Sequence, residues 1–308
     1  MSGAYLLKRL AGALGIVLGV ALLTSLLIHV VPGDPVELML GESATAGDRA
    51  ALRARLGLDR PLHQQLLGQL GRLARLDLGD SLYSRRPVSA VVAERLPATV
   101  ELAVAALAVA AAVALPLGIL AARHRGGLAD SAAMGVALLG LSIPSFWLGP
   151  LLILLFSVVL GWTPVSGREG LASLVLPALT LGTGMAAVLA RMLRSSLLET
   201  LSEDYVRTAR AKGLSPAAVL RRHALRNAAL PVVTVFGMQA GALFAGAVIT
   251  ETVFAWPGVG SLLVEAIQRR DFPVVQGCVL LISTSYVAVN ALTDLAYAWL
   301  DPRVRVAS

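Results

Sequence analysis

One cysteine, Cys278, stands in the whole sequence, so no disulfide framework can hold this chain together, and buried, inert packing is the reading for that thiol. Histidine is almost as scarce. His29, His63, His124 and His223 are scattered, with no H-E-x-x-H and no pair four residues apart, which argues against a metal site within the chain. Also missing is any G-x-x-x-x-G-K-[ST], the backbone cradle and lysine that grip nucleotide phosphates, so this chain is not expected to hydrolyse ATP. Charge is the last scarcity: 15% of the residues are charged against 56% hydrophobic, and mean hydropathy is +0.76. A soluble domain of 308 residues could not cover its surface with so few charges; lipid must be its solvent.

What is present instead is a set of long apolar runs. Six reach the roughly 20 residues that a helix needs to cross hydrocarbon: Leu10–Val31, Leu102–Ala122, one within Ser131–Val165, Leu171–Ala190, Ala228–Thr250 and Phe272–Thr293. Backbone amides in lipid must be satisfied within the segment, and Leu- and Ala-rich runs lack the alternation of a barrel strand, so the fold class is all-α and polytopic, with about six transmembrane helices. The third run carries no charge from Ser131 to Gly167 and contains Pro144 and Pro150. It reads as one kinked or tilted helix preceded by an interfacial piece; two short crossings are the alternative, and they would put the most basic loop outside.

Orientation follows from the basic residues of the short loops. Lys8 and Arg9, Arg123 and Arg125, and Arg303 and Arg305 fall on one side, and between Arg191 and Arg226 eight basic residues face three acids on that same side. Both termini are therefore expected in the cytoplasm. The segment 32–97, with nine arginines and eight acids, reads as an extracytoplasmic loop, since long loops cross largely regardless of charge. Positive-inside bias also accounts for the net charge of +7, so no nucleic-acid partner is implied. The first run is too long for a signal peptide and lacks a small-residue cleavage site before Pro32-Gly33-Asp34, and it is expected to stay as a helix.

Ionisable residues deep in the bilayer would mark an ion or proton path, and few exist. Glu101 and Asp294 fall near helix ends and read as interfacial; Gln239 and Asn290 could line a pathway or simply bond a neighbouring helix. Gly182, Gly184 and Ala187 mimic a dinucleotide G-x-G-x-x-A, yet sit inside an apolar run instead of at a strand-to-helix turn. Gly15 and Gly19, and Gly237, Gly241 and Ala245, are small residues four apart, the pattern that lets helix backbones approach.

The segment 195–227 is too structured for a connector. Glu203 and Asp204 suit the positive end of a first helix, Gly213 can take the left-handed conformation that ends it, and Ser215-Pro216 is an N-cap followed by a first-turn proline. The turn then presents Ala209, Ala211 and Gly213, small side chains ringed by arginines, as a knob for another protein; a basic segment lying on anionic lipid is the alternative. Farther on, Glu251, Phe254, Trp256, Pro257 and Gly258 leave the fifth run through a sharp turn, with Phe254 and Trp256 read as anchors at the outer interface. Gly170, in a short outer loop, is expected to tolerate substitution.

The stretch Asp204-Tyr-Val-Arg-Thr-Ala-Arg-Ala-Lys-Gly213, with His223-Ala-Leu-Arg-Asn-Ala-Ala-Leu-Pro231, resembles the EAA loop of permeases in ATP-binding-cassette importers, in the wording of the dipeptide, oligopeptide and nickel group. Against the general E-A-A-x-x-x-G pattern, this chain has Arg207, Thr208 and Ala209 before Gly213, so the first acid is missing and one alanine is threonine. The resemblance extends through Val31-Pro-Gly-Asp-Pro-Val36, Leu56-Gly-Leu-Asp-Arg-Pro-Leu62, Asp77-Leu-Gly-Asp-Ser81, Ser142-Ile-Pro-Ser-Phe146, Ile249 to Gly260 and Arg270 to Gln276. It implies a single permease domain over 1–308 with the type I importer fold, in a bacterial inner membrane. It also implies a coupling loop centred on Asp204, Arg207, Thr208, Ala209, Ala211, Lys212, Gly213 and Leu214, and an outer-mouth element at Glu251 to Gly258. The partners implied are a second, similar permease forming a heterodimeric pore, two ATPase subunits that bind ATP and Mg, and an extracytoplasmic solute-binding protein. No catalytic residue, metal or cofactor is implied for this chain, and peptides are the implied cargo, with nickel, glutathione and haem-like solutes as alternatives.

Overall fold

A computed structural model describes residues 3–30, 35–40 and 45–300, and in these every extended element is a helix, with one isolated antiparallel bridge at Asp80 and Pro87. The order is α1 (Gly3–Val30), α2 (Pro35–Leu40), α3 (Ala46–Leu56), α4 (Leu62–Ala74), α5 (Val88–Arg123), α6 (Leu128–Ser142) and α7 (Ser145–Leu152), which widens into a π-helix to Val159. Then follow α8 (Leu171–Ser202), α9 (Asp204–Ala211), the short α10 (Pro216–Ala218) with a π-turn over Val219–Ala224, α11 (Leu225–Val253), α12 (Val259–Gln268) and α13 (Phe272–Leu300). The Pro-Gly-Asp part of the 31–36 motif and the basic residues Arg303 and Arg305 lie outside the described residues.

Four helical stretches are each long and apolar enough to cross a membrane: 88–123, 171–202, 216–253 and 272–295. The first apolar run forms α1, 28 residues long. The third run is broken. Helices α6 and α7 meet at a 101° bend across Ile143-Pro144, and only together do they meet the length of one span. Pro144 removes an amide at the break, whereas Pro150 stays inside α7. The second run also differs from its sequence boundaries: α5 begins at Val88, fourteen residues before Leu102, so the described residues of the 32–97 segment hold three short helices and the first turns of a long one. Polar residues such as Glu94 and Arg95 hid this extension, because hydropathy finds only the part of a helix that lipid solvates.

The chain falls into two compact units. The first comprises 98–257 with the chain from 286 on, the second 2–97 with 258–285. Small residues dominate the core of the first: Ala106, Ala110 and Ala114 of α5, Ala186, Leu189 and Ala190 of α8, and Leu243 and Ala247 of α11. Lipid tails supply no hydrophobic drive between helices, so close backbone approach must do the work. A Cβ on Gly182 would come within 2.8 Å of the Ala106 carbonyl, and one on Gly118 within 3.0 Å of the Ala190 carbonyl, which is how tightly α5 crosses α8. Gly237 and Gly241 do the same for α11 against Thr293, Tyr286 and Asn290 of α13. Gly182 thus belongs to a helix crossing, and Asn290, which donates to the Tyr286 carbonyl at 2.9 Å, packs against a glycine of α11. Leu139, Trp147, Val158 and Val159 of the bent pair are exposed, a surface suited to lipid.

In the second unit Val88, Val92, Val259, Leu262, Val274 and the buried Cys278 form the core. Asp271, itself buried, accepts from the Ser81 hydroxyl at 2.5 Å and from the backbone N–H of Leu82 at 3.1 Å. Two motifs 190 residues apart, Asp77 to Ser81 and Arg270 to Gln276, are thereby one structure.

Candidate functional site

The segment after α8 builds itself from local signals. Asp204 lies in the first turn of α9, where the helix dipole favours an anion. The backbone N–H groups after that helix donate to its last carbonyls, Lys212 to Thr208 at 3.0 Å, Gly213 to Arg210 at 2.9 Å and Leu214 to Ala209 at 3.3 Å. Gly213 has φ +79°, the left-handed conformation that closes a helix. Ser215 then caps the next turn by accepting from Ala218 N–H at 3.4 Å, with Pro216 at the first helical position.

A small apolar core holds the turn rigid: Val206, Ala209 and Val219 are buried, with Leu201 and Leu214 packed around them. Ala209 therefore points inward and is not part of the outward knob that the sequence suggests; its small size serves packing under the turn. Asp204, Arg207, Thr208, Ala211, Lys212 and Gly213 are exposed and Leu214 is half-buried. Arg207 donates to Asp204 at 3.2 Å, and the Thr208 hydroxyl to the Asp204 carbonyl at 3.0 Å. Behind the turn, Asn227 donates to the Tyr205 hydroxyl at 2.7 Å, tying α9 to the start of α11. The whole is a rigid, basic, solvent-facing corner.

The 251–258 turn is not where hydropathy puts it. Phe254 and Trp256 are buried, Trp256 completely, so neither is an interfacial anchor. The indole Nε1–H of Trp256 donates to the Ala98 carbonyl at 2.8 Å, and its backbone N–H to the Glu251 carbonyl at 2.8 Å. Glu251 is fully buried and accepts from the Thr99 hydroxyl at 2.7 Å. Ala255 takes a left-handed φ of +48°, and Phe254 accepts from Gly167 N–H at 2.9 Å, pinning the loop before α8. Arg168 stands 5.9 Å from the Trp256 ring and pairs with Glu101 at 2.6 Å. Pro257 is half-buried and Gly258 buried. The element is a buried, hydrogen-bonded turn, and an anchoring role fails because sequence shows aromatics near a helix end but not which way the chain turns them.

One pair escaped the sequence reading. Asp130, near the start of α6 and 5% exposed, takes a bidentate contact from Arg194 of α8 at 2.6 and 2.7 Å and a further bond from Gly126 N–H at 2.9 Å. Arg194 counts among the basic residues of its loop, and only the fold shows that its guanidinium is spent on a carboxylate. No group of three or more metal-ligating side chains exists among the described residues.

Bundled apolar helices of membrane length, with a basic, solvent-facing corner at the end of two of them, define a polytopic membrane component. Residues 114–306 match the family described as "binding-protein-dependent transport system inner membrane component", and residues 3–103 match its N-terminal companion. The chain belongs to that family. It is 48% identical to the di/tripeptide transport system permease protein DppB of Pseudomonas aeruginosa and 46% identical to the dipeptide transport system permease protein DppB of Escherichia coli K12, each over 98% of both chains. The glutathione transport system permease protein GsiC of Salmonella choleraesuis is 44% identical over the same share. Among solved structures, an inward-facing MetNI methionine ABC transporter chain superposes with TM-score 0.56 at 19% identity, covering 68% of this chain and 96% of that one. The fold is that of an importer permease.

Proposed function

We propose that this chain forms one half of the translocation pore of an ATP-driven importer for short peptides. Its partners in this reading are a second related permease, two ATP-binding-cassette ATPases that hold ATP and Mg, and a solute-binding protein outside. The observation that carries it is the 46–48% identity to dipeptide permeases over the whole length of the chain. Glutathione is the second reading, favoured by the 44% identity to its permease, and it too is a small peptide.

The corner around Gly213 suits a lever. Its exposed basic face meets an ATPase, and its buried Val206, Ala209 and Val219 oblige the corner to move with α8 and α11. Closure of the ATPases on ATP then rocks those helices, and the free energy comes from the differential affinity of ATP for the closed ATPase pair. No catalytic side chain is required of the permease. The 251–258 turn, locked through Thr99 and Ala98, is suited to act as an outer gate.

Reconstitution tests this. Proteoliposomes holding this chain, its co-purifying permease and ATPases, and the binding protein should take up labelled dipeptide only with ATP. Uptake driven by an ion gradient without the ATPases would overturn the proposal.

A further inference from the structure

The second unit carries an open polar cleft of about 330 Å³ between the turn at 57–60, helix α4, the 77–82 segment and the first turn of α13. Its wall carries charge of both signs. A chain of hydrogen bonds fixes one side: Arg72 donates to Gln69 Oε1 at 2.8 Å, Gln69 to Gln276 Oε1 at 3.1 Å, and Gln276 to the Thr24 carbonyl at 3.2 Å. Asp77 is likewise engaged, accepting from Gly79 N–H at 2.9 Å. Arg60 and Asp80, both exposed, line the same cleft, and neither side chain has a partner among the described residues. Such a cleft offers a cation and an anion to whatever enters, on a lining that also includes Gln64, Gln65 and Phe272.

We propose that this cleft binds a short peptide by its two free termini, Arg60 and the preset Arg72 taking the α-carboxylate and Asp80 the α-ammonium. Guanidinium–carboxylate pairs are the strong, directional kind of hydrogen bond. Every short peptide carries both termini whatever its side chains, so recognition of this kind is blind to sequence, as a carrier of mixed peptides needs. At about 330 Å³ the cleft is near the lower end of the roughly 300–1,000 Å³ typical of small-ligand sites, which suits two or three residues. The choice of ligand rests on the peptide-importer reading. On that reading the cleft lies outside the membrane and holds peptide between its release from the binding protein and its entry to the pore.

The test is binding to the full-length chain in lipid nanodiscs, measured by equilibrium dialysis with labelled Ala-Phe, its C-terminal amide and its N-acetyl derivative. Wild type should bind Ala-Phe saturably, and each blocked form more weakly by about tenfold or more, the loss of one charge-assisted bond. Arg60→Gln should no longer distinguish the amide from the acid while still rejecting the N-acetyl form, and Asp80→Asn should do the reverse. Misfolding cannot produce that crossed pattern. Absence of saturable binding, equal binding of free and blocked peptides, or variants without the crossed pattern would each overturn the inference. ATP-dependent uptake of Ala-Phe by the reconstituted importer without binding to this chain removes the cleft and leaves the importer. If Arg60→Gln loses the binding protein but keeps dipeptide affinity, the cleft is a protein-docking surface and the inference falls.

Discussion

Gly213 is constrained by its backbone conformation and not by the space around it. A Cβ there would meet nothing within 4 Å, so no clash forbids a side chain; the φ of +79° does, at a cost of about 1 kcal/mol for an ordinary L-residue. Asn tolerates that conformation, and Asp does so comparably, but Asp adds a negative charge to a basic corner. Gly213→Asn should therefore keep uptake within about fivefold of wild type, since about 1 kcal/mol is worth no more than that. Gly213→Asp should lose ATPase association at matched membrane levels; near-normal uptake by it would remove this corner from coupling. Gly170 is no neutral control for that comparison, because its φ of +119° with ψ −170° at the N-cap of α8 is a conformation essentially reserved for glycine. Gly71, exposed on α4 with open space around it, serves better.

Among the helices, the crossing of α11 and α13 is the most sensitive to added volume. A Cβ on Gly237 would overlap the Thr293 side chain, including its Cβ, so rotamer change alone cannot relieve it. Gly237→Ala should destabilise the protein by about 1–3 kcal/mol, the range for overpacking, seen as earlier thermal unfolding in detergent. Thr293→Gly in the same chain should restore part of the loss, and the two changes should be strongly non-additive. Gly184→Ala, with nothing within 4 Å of its new methyl, should unfold near the wild-type temperature. Equal behaviour of the Gly237 and Gly184 variants would show that α11 and α13 do not touch as described. The bend between α6 and α7 has a different origin: Pro144 follows Ile143, whose extended ψ of 115° is what a residue before proline prefers.

At the scale of the molecule the open matter is sidedness. The basic residues of the short loops, Arg123, Arg125 and the Arg191–Arg226 set, predict that the Gly213 corner faces the cytoplasm and the 32–97 segment the outside. A phosphatase fused after Asp77 should accordingly be active and one after Ser215 inactive, assayed in intact cells at equal expression. Equal activity at the two sites would remove this topology, and with it the external position of the polar cleft.

Much of this architecture was written in composition and local pattern. Apolar runs demanded helices because lipid offers backbone groups no partner, and Glu203 through Pro216 spelled out a helix, a left-handed stop and a cap, each a matter of a few neighbouring residues. Small-xxx-small spacing at Gly237 and Gly241 announced a helix contact without naming its partner. Tertiary structure alone decided the rest: that Ala209 faces inward, that Trp256 is sealed against Ala98, that Asp130 claims Arg194, and that Ser81 meets Asp271. Each of those depends on two residues far apart in the chain arriving within hydrogen-bond or contact distance. Hydropathy and spacing carry no information about that meeting, because they register what a residue prefers as a solvent and not which other residue will supply it.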